Sequence, residues 1–149
     1  GVDKTQLRRI NPSETDVQKK PNILVVEDNY INQQVIMEML KNLNCHCHLA
    51  ENGQEALNML ESHTESFDLI LMDCQMPLMN GYDATKHIRA NKDGQFNENI
   101  LIIALTANAM KGDDVKCFEA GMNDYLTKPI LSEQLAKMLY KWVFIERRG

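Results

Sequence analysis

Phe67-Asp68-Leu69-Ile70-Leu71-Met72 is a run of six residues with a single charge, and it breaks off at Asp73 shortly before Pro77. An apolar run of this length without alternation predicts a strand buried on both faces, the pattern of a parallel sheet covered by helices. Pro77 cannot donate to a ladder and closes the element. Ile23-Leu24-Val25-Val26 and Ile100-Leu101-Ile102-Ile103-Ala104-Leu105 have the same character; the first delivers Glu27 and Asp28, the second Thr106.

Amphipathic helices separate these runs. Ile31, Val35, Ile36, Met39, Leu40 and Leu43 fall on one helical stripe and predict a core-facing first helix. Cys45, Cys47 and Leu49 alternate with His46, His48 and Ala50, the period of a half-buried strand near the sheet edge. Asn52 followed by Glu55 resembles a capping arrangement for a helix carrying Ala56, Leu57 and Leu60. A third helix is expected over Gly81 to Arg89, with a polar connection from Asn91 to Asn99. A fourth, carrying Val115 and Phe118, runs to Gly121 as a left-handed cap. Tyr125-Leu126 forms a short strand ending near Lys128-Pro129. The last helix takes Ser132 as N-cap and spaces Leu135, Met138, Leu139, Trp142 and Val143 on one face. Five strands alternating with five helices mean right-handed crossovers and a doubly wound α/β sandwich.

With 149 residues the chain makes one domain with a tail. Residues 1–20 hold few apolar side chains without a steady period and read as a linker or tail; the folded domain is placed at 21–145 and a short C-terminal tail at 146–149. The net charge of -5, without a cluster of Lys and Arg, argues against direct nucleic-acid binding. The four cysteines lack the spacing of a disulfide framework, which favours a reducing, cytoplasmic setting. No apolar run reaches the roughly 20 residues of a membrane helix, so no membrane contact by this domain is expected. A chain that starts at Gly1 suggests an excised piece of a larger protein, whose other parts could be membrane-bound.

In doubly wound sheets ligands bind beyond the carboxyl ends of the strands. Glu27, Asp28, Asp73, Thr106 and Lys128 all fall at such ends. Three carboxylates packed together are costly unless a cation joins them, and hard oxygen ligands suit Mg²⁺, with Mn²⁺ as an alternative. Lys128 and Thr106 add a positive charge and a hydroxyl donor. The set fits phosphoryl transfer, in which the protein mainly positions groups and neutralises charge, with Asp73 as the nucleophile that becomes an acyl phosphate.

These residues carry a resemblance. Glu27-Asp28, Met72-Asp73-Cys74-Gln75-Met76-Pro77 with Asn80-Gly81, Ala104-Leu105-Thr106-Ala107 and Lys128-Pro129 stand in the order and spacing of the receiver domain of two-component signalling, from about Pro21 to Val143. The wording Leu105-Thr106-Ala107-Asn108-Ala109-Met110 and Ala120-Gly121-Met122-Asn123-Asp124-Tyr125 most resembles the C-terminal receivers of hybrid sensor histidine kinases. The resemblance implies a flavodoxin-like strand order 2-1-3-4-5. It implies that Asp28 and Asp73 ligate Mg²⁺, that Gln75 adds its backbone carbonyl, and that Glu27 acts through water. It implies further that Thr106 and Lys128 hold the phosphoryl oxygens, that the Lys128-Pro129 bond is cis, and that Tyr125 is the switch aromatic. Phosphorylation of Asp73 would then remodel the face of the fourth helix, fifth strand and fifth helix. The implied partners are a histidine kinase or a histidine phosphotransfer protein. Such a domain catalyses its own phosphorylation and dephosphorylation, so its standing as an enzyme is open. Gln75 and Asn108 lie where the family tunes phosphoryl lifetime, and Asn80 departs from the aspartate often found there.

Other readings stand beside these. Asp73 alone also reads as a cap or turn residue, Thr106 alone as a helix cap, Tyr125 as a core aromatic, and the acidic set with Lys128 as a structural ion network. Cys45-His46-Cys47-His48 suggests zinc, although on a strand the cysteines and histidines face opposite ways. Cys74 is a redox candidate. A stand-alone response regulator, an aspartyl-phosphate-forming phosphatase and a degenerate receiver that only binds partners are the competing functions. The phosphatase usually carries an aspartate where this chain has Gln75.

Overall fold

The apolar runs become strands: β1 (Asn22–Val26), β2 (His46–Ala50), β3 (Leu69–Asp73), β4 (Leu101–Thr106) and β5 (Asp124–Thr127). The computed structural model describes residues 20–62, 66–77, 79–91, 96–107 and 112–144. The connecting helices are α1 (Tyr30–Asn42), α2 (Gly53–Glu61), α3 (Gly81–Arg89), α4 (Asp113–Ala120) and α5 (Ser132–Leu139), the last continuing as a wider-wound turn over Tyr140–Phe144. All neighbouring strands are parallel, in the order β2-β1-β3-β4-β5, so the expected doubly wound order 2-1-3-4-5 is present.

Strand residues of alternate parity feed two separate cores. Leu24, Val26, Ile70, Met72, Ile102 and Ala104 pack under α2, α3 and α4. Ile23, Val25, Leu69, Leu71, Ile103 and Leu105 pack under α1 and α5. Every residue of β3 is buried, which explains why its sequence shows no alternation. The run starts two residues later than its hydrophobicity suggests. Asp68 leaves the apolar layer because it exchanges bonds with β1: its Oδ2 accepts the Asn22 amide and its own amide donates to the Asn22 carbonyl, both at 2.8 Å.

Three helix readings change. In α1 the buried arc is Gln33, Ile36 and Leu40, whereas Ile31 is 69% and Val35 44% exposed. The polar member belongs to that arc because the Gln33 amide donates to the Glu27 carbonyl at 2.7 Å, which satisfies it inside. In α4 the core side is Cys117 and Ala120, with Val115 and Phe118 outward. At α5 the cap is Leu131, whose carbonyl accepts the Leu135 amide, so Ser132 is the first helical residue rather than the N-cap. The caps expected at Asn52 and Gly121 agree with the sequence: Asn52 accepts the Glu55 amide and Gly121 has φ of 109°. Asn80, not anticipated as a cap, accepts the Asp83 amide at the start of α3. No helix among the described residues is long and apolar enough to cross a membrane.

Candidate functional site

Strand register brings the polar residues together. One row crosses the sheet through Ala50, Val26, Met72, Ala104 and Tyr125. The next residue along β1 is Glu27 and along β3 is Asp73; Thr106 pairs with Thr127 one further step on, and Lys128 follows. Parallel strands in this register must deliver those side chains to one edge.

At that edge Glu27, Asp28 and Asp73 offer carboxylate oxygens within 4.8 Å of one another. Glu27 and Asp73 are buried, at 1% exposure each, while Asp28 stands at the rim. Lys128 Nζ lies 3.0 Å from Asp73 Oδ1 and 3.3 Å from Glu27 Oε1. Asp73 Oδ1 also accepts the Gln75 amide at 3.1 Å, and Glu27 Oε2 accepts the Asn29 amide at 3.1 Å. Glu27 Oε1 is buried without a hydrogen-bond partner despite its ion pair. Three carboxylates against one lysine leave the cluster electron-rich. Burial is the main reason that the Asp73 carboxyl is pushed up to about 6; Gln75 and Lys128 oppose the rise and Glu27 adds to it. Burial alone would lower the Lys128 ammonium, but the two carboxylates outweigh it and raise it. A hard divalent cation fits this donor set, because it would relieve the excess charge and give the orphaned oxygen a partner directly or through water.

The loop after β3 folds back on its own strand. The Gly81 amide donates to the Cys74 carbonyl at 3.2 Å, and a Cβ at Gly81 would lie 2.2 Å from the Asp73 carbonyl oxygen. Backbone cannot yield as a flexible side chain can. Gly81→Ala is therefore expected to destabilise the protein by about 1–3 kcal/mol and to displace Asp73, slowing any reaction there. Urea unfolding beside a phosphorylation time course measures both effects.

Thr106 is buried at 1% exposure, and its hydroxyl donates to Asp113 Oδ2 at 3.0 Å. Asp113 was not visible in the sequence as a site residue: it lies on α4, and nothing in its spacing marks it. Tyr125 is half-buried and meets Phe118 edge-on at 6.2 Å between ring centroids. Gln75 is exposed, and the Lys128-Pro129 bond is cis. Asn108 lies outside the described residues.

The cysteines do not join the site chemically. Cys74 is buried with its Sγ 3.9 Å from that of Cys117. Burial first, and Cys117 second, push its thiol up to about 12, so it stays protonated and a poor nucleophile. On β2, Cys47 packs toward the α1 and α5 side while the His48 ring meets Phe67 on the other, 5.4 Å away. The histidines and cysteines of that strand thus diverge. Among the described residues the group with metal-ligand spacing is the acidic one.

Residues 23–140 match the response regulator receiver domain. The chain belongs to this family. The receiver is 39% identical over 141 residues to the sensor histidine kinase GacS of Pseudomonas protegens, covering 95% of this chain and 15% of that kinase. It is 37% identical to the hybrid signal transduction histidine kinase L of Dictyostelium discoideum, covering 80% of this chain and 7% of that protein. The chain therefore corresponds to a small part of these relatives. The receiver domain of the Pseudomonas aeruginosa sensor histidine kinase PA1611, solved with magnesium in its active-site cleft, shares 44% identity at a TM-score of 0.74, over 84% of this chain and 98% of that one. The receiver domain of the Saccharomyces cerevisiae response regulator Ssk1, solved with the histidine phosphotransfer protein Ypd1, shares 36% identity at a TM-score of 0.74, over 85% and 91%. This receiver is accordingly a domain of two-component phosphorelay signalling, related to those of hybrid histidine kinases.

Proposed function

We propose that this receiver accepts a phosphoryl group from a phosphohistidine onto Asp73, with Mg²⁺ held by Asp28, Asp73 and the Gln75 carbonyl, and with Glu27 acting through water. The observation that supports this most is the buried, electron-rich cluster in which Asp73 meets Lys128 at 3.0 Å while Glu27 Oε1 lacks a hydrogen-bond partner. An Asp73 oxygen attacks phosphorus as the P–N bond breaks and its electron pair returns to the donor imidazole. Mg²⁺ would neutralise charge on the transferred group. Lys128 and Thr106 take the remaining phosphoryl oxygens, and the buried setting keeps competing water scarce. Tyr30 and Ile31, exposed at the start of α1 directly after Asp28 and Asn29, offer a histidine-bearing partner an apolar surface.

In this reading Tyr125 responds to the new charge of about -2 at Asp73, and the α4-β5-α5 face changes with it. The domain spans 21–145 between tails, belongs to a hybrid sensor histidine kinase and works in the cytoplasm. Incubation with Mg²⁺ and a small phosphodonor such as acetyl phosphate should add one phosphoryl to the intact mass. Absence of any gain with Mg²⁺ present would sink the proposal in favour of a partner-binding receiver. Fast multiple turnover of phosphomonoesters would favour the phosphatase.

The raised Asp73 carboxyl sets a pH dependence. Below about 6 the metal-free site holds a proton that a cation must displace. The apparent Mg²⁺ affinity is expected to fall by about tenfold per pH unit once below that point and to level off above pH 7. Calorimetric Mg²⁺ titrations between pH 5 and 8 check this; a flat profile contradicts it.

A further inference from the structure

We infer that Asp113 is a latch that holds Thr106 in its resting position, and that a phosphoryl group on Asp73 opens the latch by competing for the single Thr106 proton. This positioning role rests on the phosphoacceptor function proposed above.

Thr106 ends β4 at the site edge, and its hydroxyl hydrogen is committed to a carboxylate on another element, Asp113 Oδ2 at 3.0 Å. A hydroxyl has one proton to donate, and a carboxylate is a strong acceptor for it. Thr106 must give up Asp113 to donate to a phosphoryl oxygen. The new group also carries about two negative charges, so it repels the Asp113 carboxylate that it has just deprived of a donor. Both effects push Asp113 in the same direction.

The location of Asp113 gives that movement a consequence. It is the first residue of α4, which begins after Gly112 with φ of 86° and no side-chain cap. Along the same helix Phe118 meets Tyr125, the neighbour of Ala104 in the strand register. Thus α4 is fastened to β4 through Asp113 and Thr106, and to β5 through Phe118 and Tyr125. Release of the first fastening frees the initial turn of the helix while its core side, Cys117 and Ala120, remains anchored. Coupling of this kind is reciprocal: a partner that prefers the released α4 raises phosphoryl affinity by the factor by which phosphorylation raises its own.

The test uses the intact chain with Mg²⁺ and beryllofluoride as the phosphoryl mimic. Asp113→Ala should lower the half-saturating beryllofluoride concentration by about threefold to tenfold, because the mimic no longer competes for the proton. Asp113→Asn, which keeps an acceptor but loses the charge, should fall between Asp113→Ala and the wild type and guards against a folding defect. In a Thr106→Val background the Asp113→Ala effect should shrink to the part that the Asp113 charge alone contributes, since no proton is left to contest. Amide exchange gives a second readout: beryllofluoride should speed exchange in the first turn of α4 of the wild type, and Asp113→Ala should show that speed without it. Unchanged or weaker binding by Asp113→Ala, or an equal effect in both backgrounds, overturns the latch alone. A wild type that takes neither beryllofluoride nor phosphoryl overturns the phosphoacceptor reading, and the latch with it.

Discussion

Asp73→Asn is expected to abolish phosphoryl uptake while yielding a domain at least as stable as the wild type. The amide oxygen can still accept the Gln75 amide and the Lys128 ammonium, which now bond Asp73 Oδ1 at 3.1 and 3.0 Å. It cannot attack phosphorus as a carboxylate does, so the rate should fall by about a thousandfold or more, to background. Stability should move the other way. Folding raises the Asp73 carboxyl to about 6, which means that near neutral pH the folded state holds an ionised group it would rather protonate. A neutral isostere removes that cost and the repulsion from Glu27, a gain on the order of 1–2 kcal/mol in the absence of metal. The sign fixes the pH behaviour too. The folded wild type binds a proton that the unfolded chain has lost, so its stability declines as pH rises from about 4 to about 6, and the variant should lack that decline. Intact-mass measurement with a phosphodonor and urea unfolding across pH decide both points; a stable phosphoryl on the variant would place the chemistry on another residue.

The parts of this fold that the sequence shows most clearly are those whose side chains have one environment. β3 is buried on both faces, so its hydrophobicity needs no partner to interpret, and the same holds for β1 and most of β4. Strand ends are legible for the same reason: a carboxylate directly after a buried run has nowhere to go but the sheet edge, which places Glu27 and Asp73. Helix faces are harder. Ile31 and Val35 look like core because they are apolar, yet the helix turns them outward, while Gln33 takes an inner position through a bond to the Glu27 carbonyl. Apolar character does not distinguish a core face from an exposed one. Asp113 was hidden for a different reason. Its bond to Thr106 joins two elements across a connection partly outside the described residues, and only the tertiary arrangement brings them to 3.0 Å. The gap between Asp68 as part of a strand and Asp68 as a partner of Asn22 has the same origin, since one side-chain and one backbone bond to a residue far away in sequence leave no mark on composition.

Lys128→Met is expected to cost both stability and function, in a way that reveals what the lysine does. Its ammonium is the cation bonded to Asp73 and paired with Glu27, both of which are buried. Removal of one partner of a buried ion pair leaves uncompensated charge and costs about 3–5 kcal/mol. The carboxylates can escape by taking protons, which would push Asp73 further above its raised value. The deficit should therefore be smallest near pH 5 and grow toward pH 8. Mg²⁺ supplies the missing positive charge, so the variant should gain more stability from saturating Mg²⁺ than the wild type does. Phosphoryl transfer should nevertheless remain about a hundredfold or more slower with Mg²⁺ present, because a positioned donor to a transferred oxygen is lost. Adding Asp73→Asn separates the two roles. If Lys128 stabilises the fold by neutralising Asp73, the double variant recovers much of the lost stability, as coupled neighbours do, while still accepting no phosphoryl. A Lys128→Met deficit of the same size in the Asp73→Asn background as in the wild type would instead assign the stabilising effect of Lys128 to Glu27 alone.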